Sequence, residues 1–496
     1  MRFRPDQIER FRLTTLVVDP DSGVVELGYA LDDTWSFTER LAFGPRKVEA
    51  VAGWDDGFAR VARLLHLAAG VSYYKAAMPG TLVVETGPIS DVERRFCIDL
   101  YDKGLRELAW HNGLPLERRI TVDAPTAGRP GARPAAMAPP AGIGIPIGGG
   151  KDSAVVVEAL RDRSPTLVSV NGHPAALRVA AAAGLEVAVV GRALDPLLLE
   201  LNDVGARNGH VPITAIVSLV AVAAGFRLGY DTTVMALEKS ADEPTRVAGG
   251  GGSSPAVAVN HQWSKSSEFE EVLAAVLADT LGPGVRYRSA LRQAGELDIA
   301  AAFALMPRYH RAFLSCNRAF ARSGADRWCG ECPKCRFVYL ALATSMGPDQ
   351  LVPIFGRDLL REPDQVAGFR DLFEEGRKPF ECVGTRDESL TAFAELGRDP
   401  AWADAPVVRA LAPHQKAVPA MEPAAVPGAG QADGAGAGLA AVPGAEQAAV
   451  PGVEPAAMAA ADPGVSRTSG GGRVPGRDPA RLVHDIRAAV DEVRAR

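Results

Sequence analysis

Pro146-Ile-Gly-Gly-Gly-Lys-Asp-Ser153 joins an apolar run, Ile143-Gly-Ile-Pro-Ile147, to a helical one from Lys151 to Arg163. Gly148, Gly149 and Gly150 let the backbone approach a ligand closely and adopt conformations closed to other residues. The helix start supplies unpaired N–H groups and a positive dipole end, which suits a phosphate. Ser153 adds a hydroxyl, Lys151 a mobile positive charge and Asp152 a carboxylate. The spacing is neither the dinucleotide fingerprint nor the eight-residue Walker loop. A ligand-free Gly-rich turn is the bland alternative.

Reading outward, strands and helices alternate. Thr166–Val170 is a second strand, and Pro174–Ala183 a helix stopped by Gly184. Leu185–Val190 is a third strand, and an apolar helix over about 213–226 leads into Thr232–Ala236. This order predicts an α/β fold, a doubly wound parallel sheet over 142–305, with ligands at the carboxyl ends of its strands. Residues 1–123 read as an N-terminal α+β domain that opens on a hairpin about Asp19-Pro-Asp-Ser-Gly23. Residues 124–141 read as a Pro-rich linker and 306–400 as a helical segment. Over 401–477 the composition falls to Ala, Pro and Gly, with Ala-Val-Pro-Gly at Ala425, Ala441 and Ala449. Too little apolar surface remains there to offset ordering entropy, so a disordered tail is expected. Residues 478–496 carry Leu482, Ile486, Val490 and Val493 and read as a short amphipathic terminal helix, a solvated tail first and a partner contact second.

The net charge of −6 argues against a sequence-independent nucleic-acid binder, which needs a basic face. The N-terminus has no signal-peptide core. Val211–Phe226 is too short to span a bilayer and is broken by polar residues, so no membrane insertion is expected. Six cysteines among 496 residues are too few for a disulfide scaffold, which points to a cytoplasmic protein.

Cys316, Cys329, Cys332 and Cys335 form Cys-x12-Cys-x2-Cys-x2-Cys. Four thiolates close a tetrahedral Zn²⁺ shell, and x2 spacing lets sulfurs converge from one turn. Structural Zn²⁺ is the first choice, an iron–sulfur cluster the second and a redox-active Cys pair the third. Cys97 and Cys382 read as ordinary buried or free thiols. Glu238, Asp242 and Glu243 follow a strand, where carboxylates could hold Mg²⁺ or move protons. His210 and His261 titrate nearest neutral pH. The block Asn260-His-Gln-Trp-Ser-Lys265 gathers polar groups suited to substrate or nucleotide contact, whereas Val71-Ser-Tyr-Tyr-Lys75 serves equally as a substrate contact or as a partly exposed aromatic packing edge.

The loop resembles the pyrophosphate loop, Ser-Gly-Gly-x-Asp-Ser/Thr, of ATP pyrophosphatases, whose fold is of the adenine nucleotide alpha hydrolase-like type. Gly149, Gly150, Asp152 and Ser153 match, while Gly148 replaces a Ser. With the Cys quartet, the combination resembles 7-cyano-7-deazaguanine synthase. The fuller resemblance is to the UDP-N-acetylmuramoyl-L-alanyl-L-glutamate epimerase family. It rests on Leu67–Lys75, Ile147–Ser153, Val259–Glu270 and Trp328–Cys335 and spans about residues 5–395.

That resemblance implies an ATP- and Mg²⁺-dependent isomerase of peptidoglycan precursor synthesis. It inverts the terminal L-Glu of UDP-MurNAc-L-Ala-L-Glu to D-Glu through an acyl-adenylate, releasing AMP and pyrophosphate. A muramoyl-L-alanine L-glutamate ligase would be its functional partner. On this basis Gly148 to Ser153 are expected to bind ATP, with Asp152 and Asp242 assisting Mg²⁺. His261, Lys265 and Glu243 are the proton-transfer candidates. An ATP-dependent amide- or nitrile-forming enzyme and a tRNA-modifying enzyme with the same loop are the alternatives.

Overall fold

The computed structural model describes residues 3–49, 53–126, 141–247, 257–321, 327–374, 376–412 and 478–495. The first turn forms as its residues require. Gly23 takes φ +73°, and the Asp19 carboxylate accepts the Asp21 and Ser22 amides at 3.0 and 3.2 Å. The chain therefore doubles back from β1 (Arg10–Asp19) to β2 (Val24–Leu31) and on to β3 (Trp35–Ala42), an antiparallel meander. β4 (Thr81–Val84) and β5 (Thr121–Asp123) extend it in parallel beyond β1.

The alternating unit supplies β6 (Ile143–Pro146), β7 (Thr166–Val170), β8 (Val187–Ala193) and β9 (Thr232–Met235). β10 (Thr245–Val247) and β11 (Val257–Val259) form a separate ribbon, and β12 (Arg286–Ser289) returns to the main sheet. The pairs among β12, β9, β6, β7 and β8 are all parallel. Side chains alternate across this sheet. Ile145, Leu167 and Val234 pack with helices Lys151–Leu160 and Pro174–Ala183. Val168, Val190 and Met235 pack on the opposite face with Ile213–Leu228. The third strand starts later than expected because Gly184 takes φ +69° and the Leu185 amide caps the Ala180 carbonyl at 3.1 Å. Leu185 is thus consumed by the helix cap.

The two units share one sheet, in the order β12-β9-β6-β7-β8-β3-β2-β1-β4-β5. β3 pairs antiparallel with β8 through Arg40↔Ala193, Leu41↔Arg192 and Ala42↔Gly191. At this seam the Arg192 guanidinium donates to both Glu39 oxygens, at 2.7 and 3.1 Å, and to Ser72 Oγ at 2.9 Å. Val71–Tyr74 is fully buried, so the stretch is aromatic core and not the partly exposed edge expected. Ile213–Leu228 is buried between the sheet and helix Trp54–Ala69. Among the described residues no helix is long and apolar enough to cross a membrane.

Two expectations change at the C-terminus. Residues 401–412, assigned to the tail by composition, are folded. Helix Pro406–Leu411 buries Val407, Val408 and Leu411, and Trp402 is fully buried beside it. The rest of the expected tail, 413–477, and most of the linker lie outside the described residues. Helix Pro479–Ala495 is not solvated along its length. It buries Ile486 and Val490 in the core shared with Lys151–Leu160 and Glu296–Ala304. Arg163 holds Asp491 through both carboxylate oxygens, at 2.5 and 2.9 Å. Ile486→Asp would place an unpaired carboxylate in that contact. Amide exchange across 479–495 is then expected to accelerate at least ~10-fold while β6 and β7 stay protected. Hydrogen–deuterium exchange checks this.

Candidate active site

A cleft of about 360 Å³ opens at the carboxyl ends of β6, β7, β8 and β9. The chain runs from β6 outward to β8 on one side and returns to β9 on the other. The cleft therefore lies at the switch point where doubly wound sheets bind ligands. Val168, Val170, Leu194, Val217 and Met235 form an apolar wall, while Gly148, Gly150, Asp152, Ser153, His173 and Lys265 supply the polar end.

The three glycines have different roles. Gly149 takes φ +88°, and a Cβ there would lie 2.3 Å from the Ala175 carbonyl carbon. At Gly150 it would meet Ser315 Oγ at 2.8 Å, whereas at Gly148 it would meet nothing. The serine that Gly148 replaces would therefore fit. The Gly149 carbonyl also accepts the Leu314 amide at 2.9 Å, tying the loop to the segment that enters the Cys quartet. Gly149→Ala is expected to displace the loop and lower the melting temperature by several degrees. Gly148→Ser should leave it near wild type, as read by thermal unfolding.

Lys151 does not serve as a mobile charge. It is fully buried, and its ammonium pairs with Glu296 and with Asp152, the latter at 2.5 Å. Burial alone would lower its pKa, but the carboxylates Asp152 and Glu296 win and raise it. The first helical turn simply directs position 151 inward. Burial alone would likewise raise Asp152, yet Lys151, Lys334 and Lys265 bring it below its ordinary value. Asp152 is thus an ionised carboxylate on the cleft wall.

Of the block Asn260 to Lys265, only Lys265 lines the cleft. Asn260 Nδ2 donates to the Ala241 carbonyl at 2.9 Å, and Trp263 Nε1 to Glu268 at 2.7 Å, so both brace the loop. Lys265 Nζ donates to Cys382 Sγ at 2.8 Å. Burial opposes its charge, but Cys382, Glu238 and Asp152 outweigh burial and raise its pKa.

His261 lies beside this corner, its ring 5.5 Å from Phe380 and 6.5 Å from His210. Burial, reinforced by His210 and Lys265, pulls it down to about 3. Burial and Lys265 bring His210 to about 4. Both rings are neutral at pH 7. Between pH 3 and 6.5 the unfolded chain binds the His261 proton and the folded chain does not, so this group costs stability as pH falls. Its upper bound is about 2 kcal/mol between pH 7 and 5. In urea titrations His261→Gln should lose less stability over that interval than wild type, by up to that amount.

Asp242 and Glu243 are placed elsewhere. The Asp242 carboxylate accepts Ser267 N at 2.7 Å and Ser267 Oγ at 3.1 Å, serving the start of helix Ser267–Leu281. Glu243 pairs with Lys378. Neither lines the cleft, because the turn Lys239–Asp242 carries them past it. Three cleft residues had no motif to announce them. Asn171 and His173 form the turn after β7, where Asn171 takes φ +56° and its amide oxygen accepts the Arg192 N–H at 2.6 Å. Arg192 arrives on the seam strand. An Asn-Gly-His sequence after a strand was the one available signal.

The Cys quartet does converge. All four sulfurs lie within 4.8 Å of one another, with separations of 3.4 Å for Cys332–Cys335, 3.6 Å for Cys329–Cys335 and 4.0 Å for Cys316–Cys332. Four thiolates about 2.3 Å from one tetrahedral ion lie about 3.8 Å apart, so the set fits a single metal ion. Gly330, at φ +69°, makes the turn, and the Cys332 amide donates to Cys329 Sγ at 3.3 Å.

Comparison with known proteins accords with this architecture. The MurL N-terminal domain model matches residues 2–290 and the MurL C-terminal domain model residues 312–425. A Micromonospora sp. protein named UDP-N-acetyl-alpha-D-muramoyl-L-alanyl-L-glutamate epimerase is 41% identical, covering 82% of this chain and 90% of its own length. This chain belongs to the MurL epimerase family. Proteins of the same name from Salinispora tropica and Xanthomonas oryzae pv. oryzae are each 40% identical over 82% of this chain, covering 88% and 90% of their own lengths. The MurL N-terminal match runs through both halves of the shared sheet, and the C-terminal match holds the Cys quartet.

Proposed function

We propose that this MurL-family chain inverts the terminal L-Glu of UDP-MurNAc-L-Ala-L-Glu to D-Glu by way of an acyl-adenylate, releasing AMP and pyrophosphate. The observation that carries the proposal is the cleft itself. It combines a Gly-rich loop at a helix start, an ionised Asp152, the Lys265 ammonium and an apolar wall suited to a purine. In this reading ATP lies with its base against Val168, Val170 and Met235. Its phosphates meet the amides of Gly148 to Ser153, as at other helix N-termini.

Adenylation solves a specific problem. A proton beside an ionised carboxylate resists removal because the product would be a dianion. Esterifying the carboxylate to AMP removes that charge, so a base can take the Cα proton at accessible cost. Lys265 stands where charge develops on the carbonyl and phosphate oxygens. Asp152 would hold Mg²⁺, a hard cation that takes one or two carboxylates along with phosphate oxygens; it would supply charge neutralisation at the triphosphate. The Cys quartet would hold a structural Zn²⁺, with no ligand position left open for chemistry. Its contribution is to fix the 314–317 segment behind the loop. A cytoplasmic setting and a glutamate-adding ligase upstream follow from the same substrate.

The test is incubation with UDP-MurNAc-L-Ala-L-Glu, ATP and Mg²⁺, followed by the chirality of glutamate after hydrolysis and by pyrophosphate release. D-Glu and pyrophosphate should appear together. Asp152→Asn and Lys265→Ala are each expected to lower the rate by about 10²–10³-fold. Full ATP-dependent inversion in both variants, or inversion without ATP, would overturn the proposal.

A further inference from the structure

One reactive group at this corner has no part in the adenylation described above. Cys382 lies in the irregular stretch Phe380-Glu381-Cys382, and its sulfur accepts the Lys265 ammonium at 2.8 Å. The stretch is anchored on both sides of the thiol. Glu381 Oε2 accepts Asn317 Nδ2 at 3.0 Å and the Lys334 amide at 3.1 Å. The Cys382 carbonyl accepts Lys334 Nζ, and Phe380 packs on His261. The thiol is half-buried, held in place, and touches a side chain that lines the cleft.

A second observation concerns the same corner. His261 is 5% exposed; its ring leans on the Glu381 backbone, but neither nitrogen reaches good hydrogen-bond geometry. Buried polar atoms are rarely left so poorly paired in folded proteins. The Lys265 ammonium donates to that sulfur and so fixes its direction.

We propose that Cys382 is the base that serves one face of the glutamyl Cα, with Lys265 as the residue that holds its sulfur. The proposal rests on the adenylation reading above. The Cys382 thiolate takes the Cα proton of the glutamyl adenylate. As S–H forms and Cα–H breaks, the electron pair moves onto the carbonyl oxygen to give an enolate. A proton from solvent on the opposite face uses that pair to rebuild Cα–H in the D configuration. The thiol returns its proton to solvent, and water cleaves the adenylate to carboxylate and AMP. Nothing is oxidised or reduced.

The experiment uses the full chain with UDP-MurNAc-L-Ala-L-Glu, ATP and Mg²⁺ in D₂O. It follows pyrophosphate release and deuterium at the glutamate Cα in wild type, Cys382→Ser and Cys382→Ala. Wild type lacking both signals would overturn the adenylation reading itself. With wild type active, the variants should release pyrophosphate within about threefold of its rate while deuterium incorporation falls at least ~100-fold. Undiminished deuterium incorporation overturns the role of Cys382. So does loss of both signals in a variant whose circular dichroism and melting temperature match wild type, because the thiol would then serve the nucleotide half. If a variant fails to fold, wild type alkylated at Cys382, with the site mapped by peptide mass, replaces it. Alkylated chain that still incorporates deuterium at the wild-type rate overturns the proposal.

Discussion

A lysine ammonium sealed inside a protein must be matched, and the match between Lys151 and Glu296 constrains everything around the cleft. Removing Lys151 would leave Glu296 a buried carboxyl without its ion-pair partner, a defect costing about 3–5 kcal/mol, whereas without Glu296 the ammonium would still have Asp152. Glu296 opens helix Glu296–Ala304, and its own amide is held by Glu388 at 2.6 Å. Burial pushes the Glu296 carboxyl up, and Lys151 opposes that push. The pair thus links the Gly-rich loop to a helix 145 residues away and, through Glu388, to the C-terminal helices. The loop's position is set from behind, by charge pairing, as much as by its own glycines.

The Cys quartet extends the same support. Leu314 and Ser315, just before Cys316, touch Gly149 and Gly150. Lys334, between Cys332 and Cys335, reaches the backbone at Cys382. One ion held by four sulfurs would therefore position both the loop and the 380–382 stretch. Structural metal sites add directly to folding energy, and here that energy would be delivered at the cleft although no sulfur lines it.

Much of this was legible in the sequence. The Gly-rich turn between a strand and a helix specified β6, the loop and the first crossover, because only glycine takes the backbone angle found at Gly149. The cysteine spacing specified the sulfur cluster. What was not legible depended on tertiary direction. Position 151 sits in a first turn, and no local pattern says whether that face looks at ligand or at core. Asp242 and Glu243 follow a strand as active-site carboxylates do, but a short 3₁₀ turn redirects them to a helix start and to Lys378. Cys382 had no cysteine near it in sequence, so its value appears only beside Lys265. The β3–β8 seam is equally silent, because edge pairing between two units leaves each unit's own periodicity unchanged.

The docked C-terminal helix has another consequence, for the rim of the sheet. β12 ends the ten-stranded order, and a strand with one side unpaired is a template on which another chain can add. β12 is four residues long, carries Arg286 and Arg288 and lies against helix Pro479–Ala495. Shortness, charge and a covering helix are the means by which natural sheets avoid growing edge to edge. The helix thus lies, from the far end of the sequence, against the strand at one of the two places where the sheet would otherwise continue.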